Sequence, residues 1–153
     1  MAPGEVSTTG STALQHWTPP AVGPVGYSDL PFDAAGLSLL DDVIAEAEQA
    51  TGLRFSVYLG DLGPNTRATA SELLKGLGAD APAAALVAIS PGQRVVEIVT
   101  GAAATRRISD RAARLAVLSV VAAATDGDLL GAAVNAVRTL ADQAGTLPSR
   151  SSW

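Results

Sequence analysis

From residue 33 onward the chain switches repeatedly between two hydrophobic periods. Over 34–51, Leu37, Leu40, Ile44 and Ala47 recur at helical spacing, and Asp41, Asp42, Glu46 and Glu48 occupy the other side. Asp33 is placed to cap this helix, with Ser38 and Asp41 as a rival start, and Gly52 supplies its stop. The period then drops to two. Leu53, Phe55, Val57 and Leu59 alternate with Arg54, Ser56 and Tyr58, the pattern of a half-buried strand. A Gly/Pro loop over 60–64 leads to Asn65. This residue predicts the cap of a second helix, about Thr66 to Leu77, with Ala70, Leu73, Leu74 and Leu77 on one face. Gly78 ends that helix, and Pro82 introduces the next strand.

The stretch AAALVAISPGQRVVEIVTG, residues 83–101, organises the rest. Its first run, Ala83 to Ile89, is almost wholly apolar, as expected of a strand covered on both faces. Ser90-Pro91-Gly92-Gln93 carries the residues of a type II turn. Arg94 to Thr100 then returns as a partner strand, and Gly101 breaks it. The second helix is the crossover of a βαβ unit, so the first two strands should be parallel and the third antiparallel. After a connection over 101–107, Ser109 caps a third helix that runs to about Thr125. Ala112, Leu115, Ala116, Val117, Val120 and Val121 make its C-terminal half apolar nearly all round, which predicts that this half is buried. Asp126-Gly127-Asp128 is a turn, Asp128 caps a fourth helix over about 129–144, and Gly145 stops it. The predicted order is α-β-α-β-β-α-α. This is an α/β class chain: a three-layer α/β/α sandwich around a mixed sheet of three to four strands.

Composition narrows the picture. A chain of 153 residues with 48% hydrophobic content supports one domain, and with 4% aromatics its core is Val, Leu, Ile and Ala. A net charge of −5 argues against general nucleic-acid binding, which needs a cationic surface. With no cysteine there is no disulfide framework, thiolate metal site or thiol nucleophile, which fits a cytoplasmic protein. Residues 1–32 lack the basic and apolar regions of a signal peptide. The longest apolar run, Leu115 to Ala124, falls short of the roughly 20 residues that span a bilayer. Residues 1–31 are rich in Gly, Ser, Thr and Pro and read as a mobile arm, followed by a domain at 32–146 and a tail at 147–153. Trp17, Tyr27 and Phe32 would either staple the arm to the domain or dock a partner.

Four stretches carry a family resemblance: TGLRFSVYLGDLG (51–63), LVAISPGQRVVEIVTG (86–101), RRISDRAARLAVLS (106–119) and GDLLGAAVNAVRTLAD (127–142). Across about Leu30 to Gly145 the chain resembles an actinobacterial family of unknown function that is similar to a divergent TPM domain. The resemblance implies an α/β/α sandwich. Some TPM proteins are described as acid phosphatases or bind divalent cations, and many sit on membrane-anchored chains.

Two clusters are candidate chemistry. Asp61 ends the first strand, and a third helix of about 16 residues, roughly 24 Å, returns Asp126 and Asp128 to the same edge of the sheet. Three carboxylates there would be a partial oxygen set for Ca²⁺ or Mg²⁺, and such a metal would serve a phosphatase as Lewis acid. The alternative is purely structural, with Asp128 a cap, Asp126 a turn residue and Asp61 an Asx turn. Arg106, Arg107, Arg111 and Arg114 form the second cluster. The last three share a helix face at i, i+4 and i+7, and they suit an anion, a subunit interface with the acidic first helix, or a solvated face. The single histidine, His16, lies in the arm, and there is no G-x-S-x-G, so a Ser/His/Asp hydrolase is not expected. Glu97 on the third strand is a candidate base that reads more simply as a surface carboxylate. These features favour a non-catalytic protein-interaction module, binding an unknown partner or itself as part of an oligomer, with a metal-dependent phosphatase as the alternative.

Overall fold

The computed structural model describes residues 33–145. Seven main elements follow in the predicted order: α1 Ala34–Thr51, β1 Arg54–Leu59, α2 Thr66–Lys75, β2 Ala84–Ser90, β3 Val95–Thr100, α3 Asp110–Thr125 and α4 Leu129–Ala144. Short 3₁₀ turns at Gly78–Ala83 and Ala104–Arg106 flank the hairpin. The arm, the tail and the residues placed on them, including His16, Trp17, Tyr27 and Phe32, lie outside the described residues.

Each helix starts where a short polar side chain accepts from the backbone three residues on. Asp33 accepts from Gly36 N, which settles the start of α1 in its favour over Ser38, and Asn65, Ser109 and Asp128 do the same for α2, α3 and α4. Gly52 closes α1 in the left-handed region at φ 75°, donating to Glu48 O. The second helix ends at Lys75 rather than Leu77, because Leu77 N turns to Leu74 O at 3.0 Å and tightens the last turn into 3₁₀ geometry.

The sheet order is β1-β2-β3, with β1 and β2 parallel and β2 and β3 antiparallel. All seven residues of β2 are buried, as the apolar run predicts for a central strand. Helix α2 covers one face, packing Ala70 and Leu74 with Tyr58, Leu62, Leu86 and Val99. Helices α1, α3 and α4 cover the other, where Leu40, Ile44, Val137 and Leu140 meet Phe55, Val57, Val87 and Ile98.

Two expectations are corrected. The turn is not type II, since Gly92 does not carry the positive φ. Ser90 pairs with Val95, leaving the four-residue loop Pro91–Arg94; Arg94 N donates to Pro91 O at 3.2 Å, and Arg94 takes the left-handed conformation at φ 55°. The C-terminal half of α3 is not buried all round. Only Ala112, Ala116 and Val120 are buried along α3, while Leu115, Leu118 and Val121 are exposed, Leu118 at 65%. The helix sits at the flank of its layer, packed on α4 and β3, so its outer side has no neighbour among the described residues.

Candidate functional site

The acidic cluster does not assemble. Asp61 Oδ2 accepts from Gly63 N at 3.0 Å, an Asx turn, and Asp128 Oδ1 accepts from Gly131 N at 2.8 Å as the cap of α4. Asp126 closes α3, its N–H donating to Ala123 O. No three His, Asp or Glu side chains converge among the described residues, so Asp61, Asp126 and Asp128 do not fit a cation as a set. The topological expectation behind them does hold in part: the hairpin turn and the α3–α4 turn meet at one edge, where Pro91 and Arg94 share a cavity with Thr125 and Leu129.

The arginine cluster divides. Arg107 precedes α3 and turns away from its face. Its guanidinium donates to Thr51 O at 2.9 Å, to Ala144 O at 3.2 Å and to Gly145 O at 3.0 Å. It thereby caps the C-terminal carbonyls of α1 and α4 together, where both helix dipoles favour a cation. Arg106, Arg111 and Arg114 are exposed, and none makes an ion pair among the described residues.

Other polar groups lock the loops. Gln93 uses both ends of its amide: Oε1 accepts from Leu62 N and Ser90 Oγ, both at 2.7 Å, and Nε2 donates to Gly63 O at 2.8 Å. This pins the β1–α2 loop to the hairpin. Tyr58 is buried and donates to Asp61 O at 2.8 Å; burial, and secondarily the Asp61 charge, push its phenol well above the ordinary range. Glu97 is held by Thr66 Oγ1 at 2.7 Å and by Arg67 Nη1 at 3.5 Å, a structural placement for the candidate base.

The feature with binding geometry is the free edge of β3. Gly60 N donates to Ile89 O and Gly101 N to Ala84 O, which sets the phase of the ladders on either side of β2. Val95, Glu97 and Val99 therefore bond to β2, and Val96, Ile98 and Thr100 turn their N–H and C=O groups outward. Among the described residues, one side chain reaches that edge: Arg67 Nη1 donates to Ile98 O at 2.9 Å. Two cavities lie between β3 and α3 and abut at Val96. One, of about 270 Å³, is walled by Val95, Val96, Val121, Ala124 and Leu129, with Arg94 as its charged group. The other, of about 330 Å³, runs past Ile98 and Thr100 to Ala113, Arg114 and Val117. Arg94 and Arg114 make no ion pair among the described residues. Sequence patterning shows that β3 exists and that α3 is apolar; it does not show that β3 is an edge strand or that α3 forms a wall beside it. Gln93, Arg67 and Arg94 carry no motif that would mark them.

No helix among the described residues is long and apolar enough to cross a membrane. Several solved structures share the fold. The N-terminal domain of a P. gingivalis protein superposes with a TM-score of 0.69 at 14% identity, covering 90% of this chain and 87% of that one. BA42 from the psychrophilic bacterium Bizionia argentinensis gives 0.66 at 15% identity, over 73% and 80%. The N-terminal domain of cg2496 from Corynebacterium glutamicum gives 0.65 at 16% identity, over 87% and 91%. At these identities the likeness is one of fold. Two uncharacterised Mycobacterium tuberculosis proteins, Rv2468c and MT2543, are each 37% identical over 140 residues, covering 92% of this chain and 81% of theirs. Residues 20–141 match a family described as a domain of unknown function, and the chain thus belongs to the DUF5130 family.

Proposed function

We propose that this domain is a protein-interaction module that takes an extended segment of a partner protein as an added strand on β3. The outward N–H groups of Val96, Ile98 and Thr100 and the C=O groups of Val96 and Thr100 carry the reading, because they form a ladder beside a groove in which the Ile98 C=O alone is already held, by Arg67. Backbone pairing would supply affinity, and the cavities on either side of Val96 would take alternate side chains. Exposed Leu118 and Val121 on the α3 wall extend the apolar surface. We also read the family as a divergent branch of the TPM domains, on the four stretches quoted above. No convergent carboxylates support the phosphatase alternative among the described residues.

The test is selection of random octapeptides against the full chain, followed by amide exchange of the complex. Bound peptides are expected to protect the amides of Val96, Ile98 and Thr100. Val96→Pro removes one outward donor without breaking a β2 bond, and should abolish binding while the fold persists. Peptides that bind and leave these three amides unchanged, or a selection that enriches nothing, would overturn strand addition.

A further inference from the structure

We infer that the module recognises a free chain end: the C-terminal α-carboxylate of the partner segment meets Arg94, and its last apolar side chain fills the cavity beside it. The inference rests on the strand-addition reading and names what that strand must be.

Direction comes first. A strand added antiparallel to β3 has its C-terminal end at the start of β3, which is Arg94 and Val95. A strand added parallel would bring its N-terminal end to the same place, and a free amine there would face a guanidinium of like charge. Charge therefore selects the antiparallel direction and an anionic end.

The cavity fits such an end. Its walls are Ile89, Val95, Val96, Val121, Ala124 and Leu129, and its volume of about 270 Å³ suits a single terminal side chain rather than a drug-sized ligand. Its charged lining residue is Arg94, whose guanidinium has no ion-pair partner among the described residues. A carboxylate would find two parallel donors there, the geometry a guanidinium provides and an ammonium does not. The acids of the α3–α4 turn do not compensate Arg94: Asp128 is engaged with Gly131 N, and among the described residues neither it nor Asp126 forms an ion pair. The backbone adds a further sign. Arg94 holds a left-handed φ of 55°, a position that Gly or Asn would fill at lower cost. Local geometry therefore does not account for an arginine here, whereas a ligand carboxylate does.

The experiment uses the full chain, ¹⁵N-labelled, titrated with N-acetyl-Thr-Val-Leu bearing a free carboxylate and, separately, with its C-terminal amide. The acid should shift the amides of Arg94, Val95, Val96 and Val121 saturably, and bind on the order of tenfold more tightly than the amide. Arg94→Gln should make acid and amide equal, and Arg114→Gln, in the second cavity, should leave their ratio as it was. Equal binding of acid and amide to the native chain, shifts confined elsewhere, or no shifts would each overturn the inference. The two readings fail separately. If octapeptides protect the β3 edge while acid and amide bind alike, chain-end recognition falls and strand addition stands. If the acid binds at Arg94 while no peptide protects the edge, strand addition falls, and with it the chain-end strand inferred from it.

Discussion

Glu48 shows a single carboxylate used for joining rather than chemistry. Its Oε2 accepts from Phe55 N at 3.1 Å and its Oε1 faces Arg54 at 3.5 Å, so it ties the end of α1 to the start of β1 across a two-residue link. Burial raises its pKa above the ordinary value of 4.5, outweighing the lowering by the Phe55 N–H and by Arg54. The sign follows from linkage. The folded state holds this proton more tightly than the unfolded chain, so stability is lost as pH rises from about 4.5 through the raised value. Glu48→Gln keeps an acceptor for Phe55 N and removes the titration. Melting midpoints at pH 4 and pH 7 should show the native chain falling relative to the variant as pH rises; a gap that moves the other way would contradict the assignment. Ser56, buried on β1 with no partner for its Oγ among the described residues, carries no comparable joining role. Local roles of this kind were only partly legible. The caps Asp33, Asn65, Ser109 and Asp128 act within three residues and were readable, whereas Glu48 and Gln93 act across folds of the chain and were not.

Among the elements, β3 carries the most specific expectation. Its amides should alternate in hydrogen exchange, with Val95, Glu97 and Val99 protected and Val96, Ile98 and Thr100 faster, on the order of tenfold or more. Uniform protection along the strand would mean that the edge is covered. The hydrophobic pattern located this strand and the central strand because both periods are strong there. It missed the turn between them, since a Pro-Gly pair suggests type II chemistry locally, while the Ser90–Val95 pairing leaves four residues to close. It also overstated the burial of α3. Apolar residues all round a helix predict burial only if neighbours exist all round it, and α3 lies at the edge of its layer. The same misjudgment concealed the groove, because the exposed side of α3 is what makes its second wall.

For the whole molecule, the order α-β-α-β-β-α-α and the mixed sheet were legible because handedness and connection length leave few alternatives. The arginine cluster was not, for a reason of scale: helical spacing placed Arg107 on a face, while the assembled molecule places it between two helix ends. Those ends, Thr51 and Ala144, are far apart in sequence, and Arg107 reaches them across 56 and 37 residues. Such a contact forms only once both helices have docked, so it belongs to the late side of the folding barrier. Arg107→Ala should cost about 2 kcal/mol, from the loss of charged hydrogen bonds. In stopped-flow measurements nearly all of that loss should appear as faster unfolding, with the refolding rate little changed. A matching fall in the refolding rate would mean that the helix ends meet early. The guanidinium then governs the lifetime of the folded chain more than the speed of reaching it: one side chain, set between two helix ends, is the latch on the assembled domain.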